Sequence, residues 1–119
     1  MTSKYQVLYY ISQTRKNPVS DFLDSLSAKQ QSKIIRVLTN IKEYGLESVT
    51  THTRKLSGIP LWEIRILGSD NIRVIYAIPI QNIVLLLHGF IKKSQKTPQK
   101  EIDKALERLK EYKNRALTK

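Results

Sequence analysis

The stretch NIVLLLHGFI, Asn82 to Ile91, is apolar on both of the faces that a two-residue period would create. A strand of that kind sits inside a sheet and is covered on each side, so the rest of the chain must supply two covering layers. It is also far too short to span a bilayer, which takes roughly 20 apolar residues in a helix. With 119 residues in all, the chain is of one-domain length, and residues 1–119 are read as a single domain.

The covering layers are legible on either side of it. YQVLYYIS, Tyr5 to Ser12, is aromatic and β-branched and reads as a first strand. Asn17 before Pro18 is an N-cap followed by proline at the first helical position, opening a short helix with Val19, Phe22 and Leu26 on one face. Ser27 and Gln30 have capping-box spacing for a second helix, whose stripe is Ile34, Val37, Leu38, Ile41 and Tyr44, with Gly45 placed to stop it. Residues 46 to 60 show no sustained period and read as a loop with at most a short strand near Lys55 and Leu56. Thr97 and Pro98 repeat the cap signature before a last helix carrying Ile102, Ala105, Leu106, Leu109 and Tyr112. The order is strand, two helices, three strands, helix, an α+β arrangement.

Leu61 to Ile78, LWEIRILGSDNIRVIYAI, is a β-hairpin with an arginine in each arm. Trp62, Ile64 and Ile66 share one face of the first arm, and Ile72, Val74, Tyr76 and Ile78 share one face of the second. Registers that match those faces put Arg65 and Arg73 together on the other face, since a one-residue slip turns one arm over. If Gly68, Ser69 and Asp70 form a three-residue loop, the two stand directly opposite each other, a destabilising pair of like charges, and the next even register moves them to a diagonal. Arg54, Lys55, Lys92, Lys93 and Lys96 fall at or near the ends of the bordering strands. The cluster reads as an anion site, because the guanidinium fork donates two parallel hydrogen bonds to phosphate and stays charged. Trp62 and Tyr76 read as core, and Gly89 as a bend or a point of close approach in the strand.

The formal net charge is +11, from 21 Lys and Arg against 10 Asp and Glu, which favours a polyanionic partner. Residues 92–119 hold ten basic and four acidic side chains, with Lys92, Lys93, Lys96 and Lys100 gathered where they oppose the helix dipole. No cysteine is present, which excludes disulfides and thiolate chemistry, and two histidines, His52 and His88, are too few for a His-based metal cluster. We therefore expect no metal and no cofactor. The N-terminus lacks the apolar core of a secretory signal, which predicts a cytoplasmic protein with no membrane partner.

RKLSGIPLWEIRI, NIRVIYAI and LLLHGFIKKSQKTPQKEIDKA together resemble the RelE/ParE superfamily of bacterial toxins, in particular its HigB-like, phage-associated branch. The resemblance covers about Arg54 to Tyr112. It implies a RelE-like β-α-α-β-β-β-α fold, a small twisted and mostly antiparallel sheet packed against an αα-hairpin with a C-terminal helix. It also implies the toxin of a type II toxin–antitoxin pair: a ribosome-dependent mRNA endonuclease that needs no metal, is held by a cognate antitoxin, expected to be a helix-turn-helix protein, and has the ribosome and mRNA as partners. Arg65 and Arg73 match two of the family's catalytic basic positions. A third, after the last strand, is matched by Lys92 or Lys93; Lys93 is assigned to the catalytic set. Arg54, Lys55, Lys92, Lys96 and Lys100 are assigned to RNA binding. The chain departs from relatives with a tyrosine or histidine near the C-terminus, having no tyrosine between Tyr76 and Tyr112. His88 and Glu63 are left as acid or base candidates, against a hydrogen-bonded structural histidine and an ion-pair carboxylate. The competing readings are a ParE-like gyrase inhibitor and a non-catalytic nucleic-acid-binding module.

Overall fold

The computed structural model describes residues 5–66 and 71–117. Its strands are β1 (Gln6–Tyr9), β2 (Thr53–Lys55), β3 (Trp62–Ile66), β4 (Ile72–Ala77) and β5 (Ile83–Ile91). The helices are α1 (Pro18–Asp24), α2 (Ala28–Tyr44) and α3 (Gln99–Leu117), with a 3₁₀ segment over Leu46–His52. The five strands form one sheet in the order β1-β5-β4-β3-β2, in which β1 runs parallel to β5 and every other pair is antiparallel. Among the described residues no helix is long and apolar enough to cross a membrane.

Two cores sit on the two faces of this sheet. Val19 and Leu23 of α1 and Ile34, Val37, Leu38 and Ile41 of α2 pack against Ile64, Ile66, Ile72, Val74, Tyr76, Val84 and Leu86. Ala105 and Leu109 of α3 pack on the other face against Leu61, Ile75, Ala77, Leu85, Leu87 and Phe90. The apolar arms of the hairpin therefore look toward α1 and α2, and Arg65 and Arg73 toward the α3 side.

The caps act as the spacing requires. Asn17 Oδ1 accepts from the Ser20 amide at 3.1 Å, and Ser27 and Gln30 exchange both bonds of the capping box. Gly45 ends α2 at a φ of 87°, a left-handed value that favours glycine. Three details differ from expectation. Tyr44, placed on the α2 stripe, is 55% exposed, because the chain turns at Gly45 and Leu46 and Val49 of the 3₁₀ segment fill the core beyond Ile41. The first strand ends at Tyr9, short of Ser12, where Ser12, Arg15 and Lys16 close a turn with Arg15 at a φ of 65°. The carbonyl of Pro98 accepts the first α3 amides, so Thr97 lies one residue before the cap. The Gly68, Ser69 and Asp70 loop lies outside the described residues.

A β-bulge in β5 was not foreseen, and it matters for the site. Tyr76 pairs with Leu86 but Ile75 pairs with His88, so Leu87 is the extra residue. Before the bulge, even-numbered Val84 and Leu86 face α1 and α2; after it, His88 and Phe90 face α3. A bulge of one residue inverts the alternation downstream of it.

Candidate functional site

On the α3 side of the sheet, from the part that α3 covers toward the β2 edge, the strands bring their charges into two rows. Arg54, Glu63 and Ile75 are register partners in one, and Arg65, Arg73 and Phe90 in the next. Arg65 and Arg73 share the face that the matching of apolar faces requires, and they are directly opposed, the register of a three-residue loop rather than the diagonal one. Lys92 follows β5 at the same end and is held there by its amide, which donates to the Asn71 carbonyl at 2.8 Å. Because of the bulge, Lys92 continues the α3-facing set, and Lys93 stands exposed beside it.

Glu63 is the carboxylate among these cations, and it is fully buried. Oε2 accepts from the Thr97 hydroxyl at 2.8 Å, and Oε1 lies 3.7 Å from Arg73 Nε, too far for a hydrogen bond. Arg73 is 8% exposed, and its Nη1 donates to the Ile72 carbonyl at 3.0 Å. The Nε groups of Arg65 and Arg73 and Oε1 of Glu63 have no hydrogen-bond partner. Burial lowers the pKa of Arg73; Glu63 opposes the shift and Arg65 adds to it. Lys92 is likewise lowered by burial, with Glu63 opposing and Arg73, Arg54 and Arg65 reinforcing. Both positive groups are short of negative charge, and an anion relieves that shortage.

Asn71, Arg73, Lys92, Lys93, Ser94 and Gln95 line a cleft of about 540 Å³ against this cluster. Lys92 and Lys93 thus share the cleft, Lys92 buried and Lys93 exposed. Lys96 and Lys100 are exposed on the adjoining loop and the first turn of α3. Lys55 is on the other face: it pairs with Trp62, sets Nζ 5.1 Å from that ring, and donates to the Leu56 and Ile59 carbonyls. Trp62 itself stacks on Tyr76 at 6.0 Å between centroids, beside the core.

His88 is occupied on both ring nitrogens. Arg108 Nη1 donates to Nδ1 at 3.2 Å, so Nε2 carries the proton and donates to Glu101 at 2.8 Å. Burial lowers its pKa, with Glu101 opposing and Arg108 and Lys104 assisting. That network fastens β5 to α3. Thr97, read as a cap, is a site residue that sequence reasoning missed; its spacing from Glu63 carries no local signal.

Residues 21–110 match the model of the family described as phage derived protein Gp49-like (DUF891). The chain belongs to the Gp49-like family. The matched span takes in the whole cluster from Arg54 to Thr97 and most of the scaffold behind it. Gp49-like proteins are a RelE/HigB-like toxin family of toxin–antitoxin systems, which implies an antitoxin partner. No curated protein matches the chain.

Proposed function

We propose that this Gp49-like chain is a ribosome-dependent mRNA endonuclease that inhibits translation and is held in check by its antitoxin. The observation that carries the reading is Arg73, a buried guanidinium in a cleft wall, whose Nε has no acceptor. Glu63 at 3.7 Å offsets part of the charge without a hydrogen bond to Nε, so the guanidinium is only partly compensated. A phosphate in the cleft would add acceptors for the part of the Arg73 guanidinium that lines it.

In the proposed reaction the 2′-hydroxyl loses its proton and its oxygen attacks the neighbouring phosphorus. The bond to the 5′-oxygen breaks and that oxygen takes up a proton, leaving a 2′,3′-cyclic phosphate and a 5′-hydroxyl. Arg73 and Arg65 hold the phosphate oxygens and stabilise the added negative charge of the pentacovalent state. Lys92, with its lowered pKa, moves the proton, and Lys93 serves the same phosphate from the rim. Arg54, Lys96 and Lys100 attract the flanking backbone. Glu63 is too buried to reach a substrate and holds Arg73 in place.

Among the described residues that line the cleft, none is a histidine, tyrosine or carboxylate, and this favours a second reading, a gyrase-inhibiting toxin without nuclease activity. The Arg65→Ala/Arg73→Ala double variant separates the two. Loss of mRNA cleavage by a folded double variant supports the endonuclease; intact mRNA with blocked supercoiling by the wild-type chain supports the gyrase inhibitor.

A further inference from the structure

The segment from Lys92 to Thr97, which joins β5 to α3 and carries the cleft's two lysines, is held at both ends. At Lys92 the amide donates to the Asn71 carbonyl just before β4, at 2.8 Å. At the far end the Thr97 hydroxyl donates to Glu63 Oε2 on β3, also at 2.8 Å. Between these anchors Ser94 Oγ donates to the Lys96 carbonyl at 2.8 Å, and Ser94 and Gln95 line the cleft. The anchor at Thr97 therefore does two things. It sets where the lysine-bearing segment runs, and it orients the buried carboxylate whose other oxygen faces Arg73 Nε.

We propose that Thr97 is a positioning residue for the cleft: its hydroxyl fixes Glu63, and through Glu63 Arg73, while pinning the segment that presents Lys92 and Lys93 to the same phosphate. The inference rests on the endonuclease reading for its kinetic consequence. Thr97 touches no substrate in this account. Without that hydroxyl, Glu63 Oε2 loses its hydrogen bond and the loop loses its anchor on β3. The charge of the cleft stays the same, so attraction for RNA persists, while the alignment of Arg73 with the lysines is lost. Misplacement of this kind lowers turnover more than binding.

Thr97→Val keeps the shape and removes the hydroxyl, and Thr97→Ser keeps the hydroxyl. In a purified translation system, kcat for mRNA cleavage should fall about 10- to 100-fold in Thr97→Val, with KM within about twofold, and recover in Thr97→Ser to within about threefold of wild type. A Thr97→Val variant that turns over like wild type overturns the proposal, as does one that raises KM alone or a Thr97→Ser variant as impaired as Thr97→Val. If wild type itself leaves mRNA intact, the endonuclease reading has failed, and amide hydrogen exchange over residues 92–97 decides the positioning role separately. Faster exchange in Thr97→Val and not in Thr97→Ser supports it, and equal exchange in all three overturns it.

Discussion

Arg65 and Arg73 stand opposite each other in a small sheet, an arrangement that costs stability on the order of 0.2–1 kcal/mol. Arg65→Ala should therefore leave the protein as stable as wild type or slightly more so, read by urea unfolding, while lowering the proposed cleavage about 100-fold. Coincident loss of both would assign Arg65 to the fold instead. His88 gives a prediction in pH. Burial holds its pKa below the ordinary 6.5, so the unfolded chain binds the proton at a higher pH than the native one. Stability therefore falls as pH drops through and below about 6.5, and levels off once the native ring is also protonated. The urea midpoint of His88→Gln should change less between about pH 7.5 and about pH 5 than that of wild type. Glu101 works against this shift, and Arg108 and Lys104 work with it, so the slope reports the whole group of charges around the ring.

The elements that local chemistry specifies were legible. Asn17 before Pro18, the Ser27–Gln30 box and Gly45 are each decided within four residues of chain, and the shared face of Arg65 and Arg73 follows from matching two apolar faces. What was not legible depends on distant partners. The bulge at Leu87 is not placed by the apolar run, although Gly89 two residues on allows a bend, and it decides that Lys92 faces Arg73. Lys55 lies next to Arg54 in sequence and on the opposite face for that very reason, since side chains alternate along β2. Gly89 was read as a close approach, and the structure supplies the partner: a Cβ there would lie 2.3 Å from Phe22 Cδ2 on α1. Gly89→Ala should destabilise the fold by about 1–3 kcal/mol through overpacking, and Phe22→Leu in the same chain should recover part of the loss. Chemical denaturation of the two variants checks both.

For the whole molecule, the net charge of +11 acts together with the cleft's position at one end of the sheet. The partner should bind through its phosphates, with log affinity falling linearly in log salt and a slope of about −0.7 per phosphate contact on a single strand. Replacing Lys93, Lys96 and Lys100 with glutamine should flatten that slope without moving the unfolding midpoint, since all three are exposed. On the endonuclease reading, the α3 face, the bulge and the Thr97 anchor would together hold buried positive charge open to a phosphate. Primer extension on an mRNA being translated, with and without ribosomes, tests that most directly when wild type is run beside Arg73→Ala. New 5′ ends that require both the ribosome and Arg73 are the predicted result. Equal cleavage by a folded Arg73→Ala variant, or intact mRNA under a wild-type chain that arrests growth, would contradict it.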